Sequence, residues 1–196
     1  MTPEQPTELT TTLNRIRAHD PCADGWGKLL KHLGKTAADD EPLPYAAILE
    51  SNGLDDALWC CRAEPQHDRL WRLYAVWCAR QVQHLMKDQR SIDALDVAER
   101  YANGQATDQE LAAAREARAS RFVTRRTASA TASVAGWVAA SEVSVAATDA
   151  ALYAALDAAS WRFWVTHATT TAKAIARSMA AQANAFKRLV THGVLP

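Results

Sequence analysis

The sequence predicts an all-α protein, a single compact multi-helix bundle of about seven to nine helices. Three observations lead to this prediction. Apolar residues recur at helical spacing through much of the chain of 196 residues. Capping and stop residues bound many of these segments. Roughly a third of residues 111–186 are alanine, the strongest helix former, and no segment keeps a strand alternation.

Proline and glycine divide the beginning of the chain into short helices. Residues 1–6 are expected to form a flexible arm. Thr7 is expected to cap a first helix with Leu13 on its apolar face. A second helix is expected to begin at Asp24 and to end at Gly34, which suits a left-handed C-terminal position.

The next segment contains a polar loop and two short helices. Residues 35–44, KTAADDEPLP, have the composition of a loop. Pro44 is expected in the first turn of the third helix, where its missing N–H costs nothing. That helix should stop at Gly53, and Asp55 should cap the following one, which ends before Pro65.

The stretch 54–103 is predicted to form the centre of the bundle, as a tryptophan-rich helical hairpin followed by a third helix. It contains Trp59, Trp71 and Trp77. Residues 65–87 are apolar over more than half of the helix circumference, which is typical of a central helix.

Two further helix boundaries follow this hairpin. Ser91 is expected to cap a helix that stops at Asn103 and Gly104. Thr107 and Glu110 then form a capping box, TDQE, immediately before the apolar Leu111.

The remainder of the chain is predicted to be an alanine-rich helical half. The expected domain is 7–196, with an N-terminal half 7–106 and an alanine-rich half 107–196. The alanine-rich half has few turn signals, and breaks are expected near 125–131, 146–149 and 166–171.

The composition excludes several classes of protein. Lysine plus arginine equals aspartate plus glutamate, 22 against 22, so direct nucleic-acid binding is not expected. No apolar run is long enough for a membrane span, and the polar N-terminus lacks the pattern of a signal peptide. The four cysteines are therefore expected to be free thiols of a cytoplasmic protein.

No cofactor, metal or catalytic residue is expected. The cysteines and histidines between residues 55 and 88 lack the paired spacing of zinc ligands. Acidic residues cluster only in the loop at 39–41 and at a helix start, where solvation and the helix dipole explain them. A metal-dependent helical enzyme that uses the Cys, His and Asp residues of 55–88 remains an alternative.

Two charged clusters are candidates for a protein-interaction surface. The first is a mixed-charge patch around the helix at 91–103, in which Asp96 and Arg100 have the spacing of an ion pair. The second is a basic cluster at the start of the alanine-rich half. The candidate residues are Asp88, Arg90, Asp93, Asp96, Glu99, Arg100, Arg118, Arg121 and Arg125.

Several phrases resemble a group of proteins from bacteria, prophages and phages that are described by likeness to a helical immunity family of polymorphic toxin systems. The phrases are DPCADGWGKLLKHLGKT, ESNGLDDALWCCRA and RLYAVWCARQVQHLMKDQRSIDALDVAERYANGQATDQELAAAREA, of which SIDALDVAERYANGQATDQEL is the most distinctive part. The resemblance covers about residues 13–120, with a fainter similarity in QANAFKRLV near the end. The segment RFVTRRTASATASVAGWVAASEV departs from the Ala-Trp-Asp repeats of the group.

The resemblance implies an all-α fold and a protein that binds and neutralises a protein target, with no catalytic residues. The target would be a toxin or, in a phage setting, a subunit of a bacterial defence complex, as for an anti-CRISPR protein. The positions that carry the resemblance are Trp59, Trp77, Cys78, Asp88, Arg90, Ser91, Asp96 and Glu99. A homo-oligomeric scaffold, with alanine-rich helices paired between chains as in a homodimer, is a further alternative.

Overall fold

The computed structural model describes residues 8–81, 83, 89–119 and 168–196. These residues are mostly helical, which confirms the all-α prediction. The α-helices of this part of the chain are α1 Leu13–Arg17, α2 Ala23–Leu33, α3 Tyr45–Asn52, α4 Leu54–Cys60, α5 Asp68–Gln81, α6 Gln89–Ala102, α7 Asp108–Ala119 and α8 Ala168–His192. Two 3-10 turns, Cys61–Ala63 and Pro65–His67, precede α5. No helix among the described residues has the length and apolar character needed to cross a membrane.

The chain divides into two compact units, and the first is discontinuous in sequence. It consists of Met1–His67 and Ala183–Pro196. Its core combines apolar residues of α1 to α4 with the end of α8, where Phe186 is fully buried. The Phe186 ring lies edge-on to Tyr45, with ring centroids 6.4 Å apart. Residues from both ends of the chain therefore form one core.

A short sheet ties the beginning of the first unit together. β1, Thr10–Thr11, pairs antiparallel with β2, Leu43–Pro44. At one end of this pair, the Leu9 carbonyl accepts from the Tyr45 N–H at 3.1 Å, and the Leu9 N–H donates to the Val190 carbonyl at 2.7 Å. These hydrogen bonds satisfy backbone groups that no helix could satisfy.

The second unit, Asp68–Gln182, contains α5, α6, α7 and the first part of α8. Helix α6 packs against both α5 and α7. Trp71, Tyr74 and Leu95 are buried in this unit. The Tyr74 hydroxyl donates to the Gln182 carbonyl at 3.2 Å, so the buried phenol keeps a hydrogen-bond partner.

Some predicted boundaries differ from the structure near the N-terminus. The first helix begins at Leu13 with Thr12 as its N-cap, and Leu9 lies in extended chain before β1. Thr7, the predicted cap, lies outside the described residues. The expectation of no strand was also wrong, because β1 and β2 are two-residue strands that a periodicity search cannot detect.

Four predicted helix starts differ from the observed boundaries by a few residues. Helix α2 begins at Ala23 rather than Asp24. Pro44 precedes α3 instead of lying in its first turn, and Gly53, not Asp55, precedes α4. Ser91 lies inside α6, which begins at Gln89.

The glycine stops and the capping box are confirmed. Gly34 and Gly104 have left-handed backbone, with φ of 65° and 70°. The Thr107 N–H donates to Glu110 Oε2 at 2.8 Å, and the Glu110 N–H donates to Thr107 Oγ1 at 3.2 Å. Both orphan donors at the start of α7 are therefore satisfied by side chains.

The tryptophan-rich stretch is divided between the two units after His67. Trp71 is buried, whereas Trp59 and Trp77 are half-buried. The breaks expected at 125–131 and 146–149 lie outside the described residues, and α8 begins at Ala168, within the third expected break. The domain limits 7–106 and 107–196 stay a prediction.

Candidate functional site

Helix α6 carries most of the candidate interaction residues. Arg90, Asp93, Asp96, Glu99 and Arg100 all belong to it. Arg118 lies in α7, and its side chain is not described; Asp88, Arg121 and Arg125 lie outside the described residues. The structure therefore brings together one part of the predicted surface, and the basic cluster stays a prediction.

On the α5 side of α6, two candidate carboxylates share one arginine. Arg80 Nη2 donates to Asp96 Oδ1 and to Glu99 Oε2, both at 2.6 Å, and Arg80 Nη1 donates to Gln83 Oε1 at 2.8 Å. Partial burial by itself would lower the pKa of Arg80, but the two carboxylates outweigh it and raise that pKa. The network fixes Asp96 and Glu99 against α5.

The predicted ion pair between Asp96 and Arg100 is wrong. Arg100 pairs instead with Glu110 of α7, while Asp96 accepts from Arg80 of α5. Spacing along one helix identifies residues that can be neighbours. Here each of the two residues pairs with a residue of an adjacent helix, because helix packing brings that residue within ion-pair distance. Sequence analysis did not select Arg80 or Glu110 for this site, although both lay in segments predicted as helices.

Glu110 joins the capping box to this surface. Its Oε2 accepts from the Thr107 N–H, and its Oε1 pairs with Arg100. The backbone hydrogen bond from Thr107 is the largest cause that lowers the pKa of Glu110, and the hydrogen bond from Arg100 adds to it. The start of α7 is thus held against the end of α6 by a carboxylate that stays ionised.

A groove of about 300 Å³ lies between α6 and α7. Arg90, Asp93 and Glu110 are its exposed charged residues. Its apolar lining consists of small or medium side chains: Ala94, Val97, Ala113 and Ala114. At protein–protein interfaces, an apolar part supplies buried area and charges at its edge set specificity.

The thiols occupy two kinds of environment. Cys60, Cys61 and Cys78 are buried, and Cys22 is exposed. Burial raises the pKa of Cys60 and of Cys78 to about 12, so these thiols are protonated at neutral pH. Within the described ranges, no three His, Cys, Asp or Glu side chains are grouped as metal ligands.

The carboxylates near the first unit's loop have local partners. Asp39 Oδ2 and Glu41 Oε2 each accept from Lys35 Nζ at 2.6 Å. The hydrogen bond from Lys35 is the largest cause that lowers the pKa of Asp39. Asp55 and Asp56 lie in the first turn of α4, where the helix dipole favours negative charge.

Comparison with known protein families, curated proteins and solved structures finds no match to this chain. The class that the fold itself defines is a helical-bundle protein with a mixed-charge groove between two of its helices.

Proposed function

We propose that this protein binds another protein through the α6–α7 groove and neutralises that partner by occluding the partner's functional surface, without catalysing a reaction. The supporting observation is the groove itself, in which exposed Arg90, Asp93 and Glu110 surround an apolar floor. A partner with complementary charges would gain orientation from these residues and buried area from the alanines.

Ion pairs that hold other charged side chains of α6 support the same proposal. Arg80 holds Asp96 and Glu99 from α5, and Glu110 holds Arg100 from α7. Side chains that are already ordered lose less conformational freedom on binding, which favours affinity. Phrases in both helices also carry the resemblance to immunity proteins, and the proposed role follows that family.

The proposed partner is a bacterial protein in the cytoplasm, either a toxin or a subunit of a defence complex. An immunity protein and a phage-encoded inhibitor, such as an anti-CRISPR protein, would use the same physical mechanism. Each would block access to its target by occlusion, and the identity of the captured partner distinguishes them.

The proposal can be tested with a charge swap that leaves the net charge unchanged. The groove variant is Arg90→Glu with Asp93→Arg; both residues are exposed. The matched control is Lys31→Glu with Glu50→Lys, two exposed residues of the first unit. Exposed substitutions of this kind change stability little, so binding and folding can be separated.

The wild-type chain and each variant would be immobilised and exposed to bacterial lysate. We expect wild type and the control swap to retain the same protein, and the groove swap to bind it about tenfold more weakly or worse. Purified partner should lose its activity when it is bound. Equal retention by both swaps, a partner that stays fully active in the complex, or capture of only further copies of this chain would contradict the proposal.

A further inference from the structure

The first unit contains a second cavity, of about 210 Å³, between α1, α2, α3 and α4. Its walls are mainly apolar and include Leu29 and Ile48. The indoles of Trp26 and Trp59 also line it, and both are half-buried. The exposed Cys22 is part of the lining, so the cavity reaches the surface there.

One charged group faces this apolar space. Of the described residues that line the cavity, Asp56 alone carries a formal charge. The charge of Asp56 acts on the neighbouring Cys60. Burial is the main cause that raises the pKa of this thiol to about 12, the negative charge of Asp56 contributes, and the positive charge of Arg62 acts in the opposite direction.

Asp56 is held in place through one of its oxygens. Asn52 Nδ2 donates to Asp56 Oδ2 at 2.7 Å and to the Gly25 carbonyl at 2.8 Å. A Cβ on Gly25 would lie 2.9 Å from Asp56 Oδ2, so glycine permits this close approach. No described residue donates a hydrogen bond to Asp56 Oδ1, which leaves a fixed acceptor for a ligand.

The volume of the cavity limits the size of the ligand. A protein cavity of about 150 Å³ with apolar walls admits benzene. A cavity of about 210 Å³ therefore suits roughly eight to ten non-hydrogen atoms. The indole rings offer stacking area for the apolar part of such a molecule. Each ring already has a guanidinium over it, Arg62 at 4.1 Å from the Trp59 centroid and Arg17 at 6.0 Å from that of Trp26, so the cationic group is assigned to Asp56.

We propose that this cavity binds a small organic cation, with its ammonium group at Asp56 and its apolar body between Trp26 and Trp59. An ammonium supplies a hydrogen-bond donor for Asp56 Oδ1 and a positive charge opposite the carboxylate. A neutral molecule would gain no charge attraction from the carboxylate, and an anion would be repelled by it. The proposal concerns a small molecule and is independent of partner binding at the α6–α7 groove.

Three ligands of nearly equal size test the charge preference: benzylamine, benzyl alcohol and benzoate. Their binding to the full chain would be measured by ligand-observed NMR and calorimetry. We expect benzylamine to bind at one site about tenfold or more tightly than benzyl alcohol, and benzoate not to bind. Equal binding of the three ligands, or no binding of benzylamine at millimolar concentration, would overturn the proposal.

The assignment to Asp56 is tested by Asp56→Asn, with Asp55→Asn as the matched control. Both carboxylates lie in the first turn of α4, but Asp55 is exposed and does not line the cavity. The Asp56→Asn variant should bind benzylamine no better than benzyl alcohol, and Asp55→Asn should behave as wild type. A preference for the cation that survives in Asp56→Asn would place the site elsewhere.

Circular dichroism would show whether Asp56→Asn folds. If it does not fold, the site can be located by fluorine NMR of wild-type protein labelled with 5-fluorotryptophan. Benzylamine should then shift the resonances of Trp26 and Trp59 and leave that of Trp71 unchanged. A shift confined to other tryptophans would overturn the proposal. The groove charge swap should bind benzylamine as wild type does, so this result is separable from the proposed function.

Discussion

At the scale of single residues, Glu64 shows how this chain accommodates a buried charge. Its carboxylate is almost fully shielded from solvent, and its Oε2 accepts from Arg15 Nη1 and Gln66 Nε2. Desolvation raises the pKa of Glu64, but the hydrogen bonds, headed by that from Arg15, outweigh desolvation and leave the pKa below its usual 4.5. Glu64 therefore stabilises the first unit in its ionised form.

The variant Glu64→Gln tests this role through the pH dependence of stability. Because the pKa in the folded chain is lower than in the unfolded chain, the stabilisation is complete above 4.5 and is lost as pH falls through the folded value. We expect Glu64→Gln to lower the free energy of unfolding by about 1–2 kcal/mol at neutral pH. The difference from wild type should shrink as pH is lowered below 4.5 in urea titrations.

The control for this prediction is Glu50→Gln, at an exposed position. It should unfold as wild type does at each pH, because an exposed carboxylate contributes little. If Glu64→Gln and Glu50→Gln had the same pH profile, the buried ion pair would not be the source of the effect.

At the scale of elements, helix α2 contains two glycines in different environments. A Cβ on Gly25 would meet Asp56 Oδ2 at 2.9 Å and Cys22 Sγ at 3.1 Å, whereas one on Gly27 would have nothing within 4 Å. Glycine in a helix interior lowers the stability of the helix relative to alanine, unless the absence of a side chain permits a favourable contact. Gly25 has such a reason in the contact between α2 and α4.

Alanine substitutions should separate these two glycines. Gly27→Ala is expected to raise the free energy of unfolding by up to about 1 kcal/mol, since it restores helix propensity. Gly25→Ala should be less stable than Gly27→Ala by about 1–2 kcal/mol, because Asp56 must move away from the new methyl group. Thermal and urea unfolding would measure both, and an equal gain would show that the α2–α4 contact is looser than described.

Helix α7 depends on its capping box, which also positions one wall of the groove. Thr107→Ala is expected to lower stability by about 1 kcal/mol, because the Glu110 N–H loses its acceptor. Thr107→Ser keeps the hydroxyl and should restore most of the loss. Amide exchange at the start of α7 would measure the effect, and equal protection in the alanine and serine variants would contradict it.

The sequence could predict what short-range chemistry determines. The stop at Gly34 and the capping box of Thr107 and Glu110 depend on residues within one helical turn, and both are confirmed. The pairing of Thr10 with Pro44, and the choice of Arg80 as the partner of Asp96, depend on elements that are distant along the chain. Spacing alone cannot decide such pairings.

At the scale of the whole molecule, the first unit is completed by the end of the chain. Phe186, Leu189 and Val190 of α8 are buried, and the Val190 carbonyl accepts from the Leu9 N–H. These three residues of α8 therefore help to close the core of the first unit. Apolar periodicity along α8 cannot identify Tyr45 as the neighbour of Phe186, because the two residues are distant along the chain.

Phe186→Ala should accordingly destabilise the first unit, although Phe186 is distant in sequence from the helices α1 to α4 of that unit. We expect a loss of about 3–5 kcal/mol, as for other large buried aromatic residues. Met179→Ala, on the same helix at a position that is 37% exposed, should change stability by less than about 0.5 kcal/mol. Hydrogen exchange of the Tyr45 amide, which donates to Leu9, would report the effect; fraying limited to the end of α8 would contradict it.

The proposed partner-binding surface lies between α6 and α7. The most direct measurement is hydrogen–deuterium exchange of the chain, free and in complex with the partner captured in the charge-swap experiment. Our account predicts that exchange slows in residues 89–119 and is unchanged in α1 to α4. Protection in α1 to α4 with none in 89–119 would contradict it.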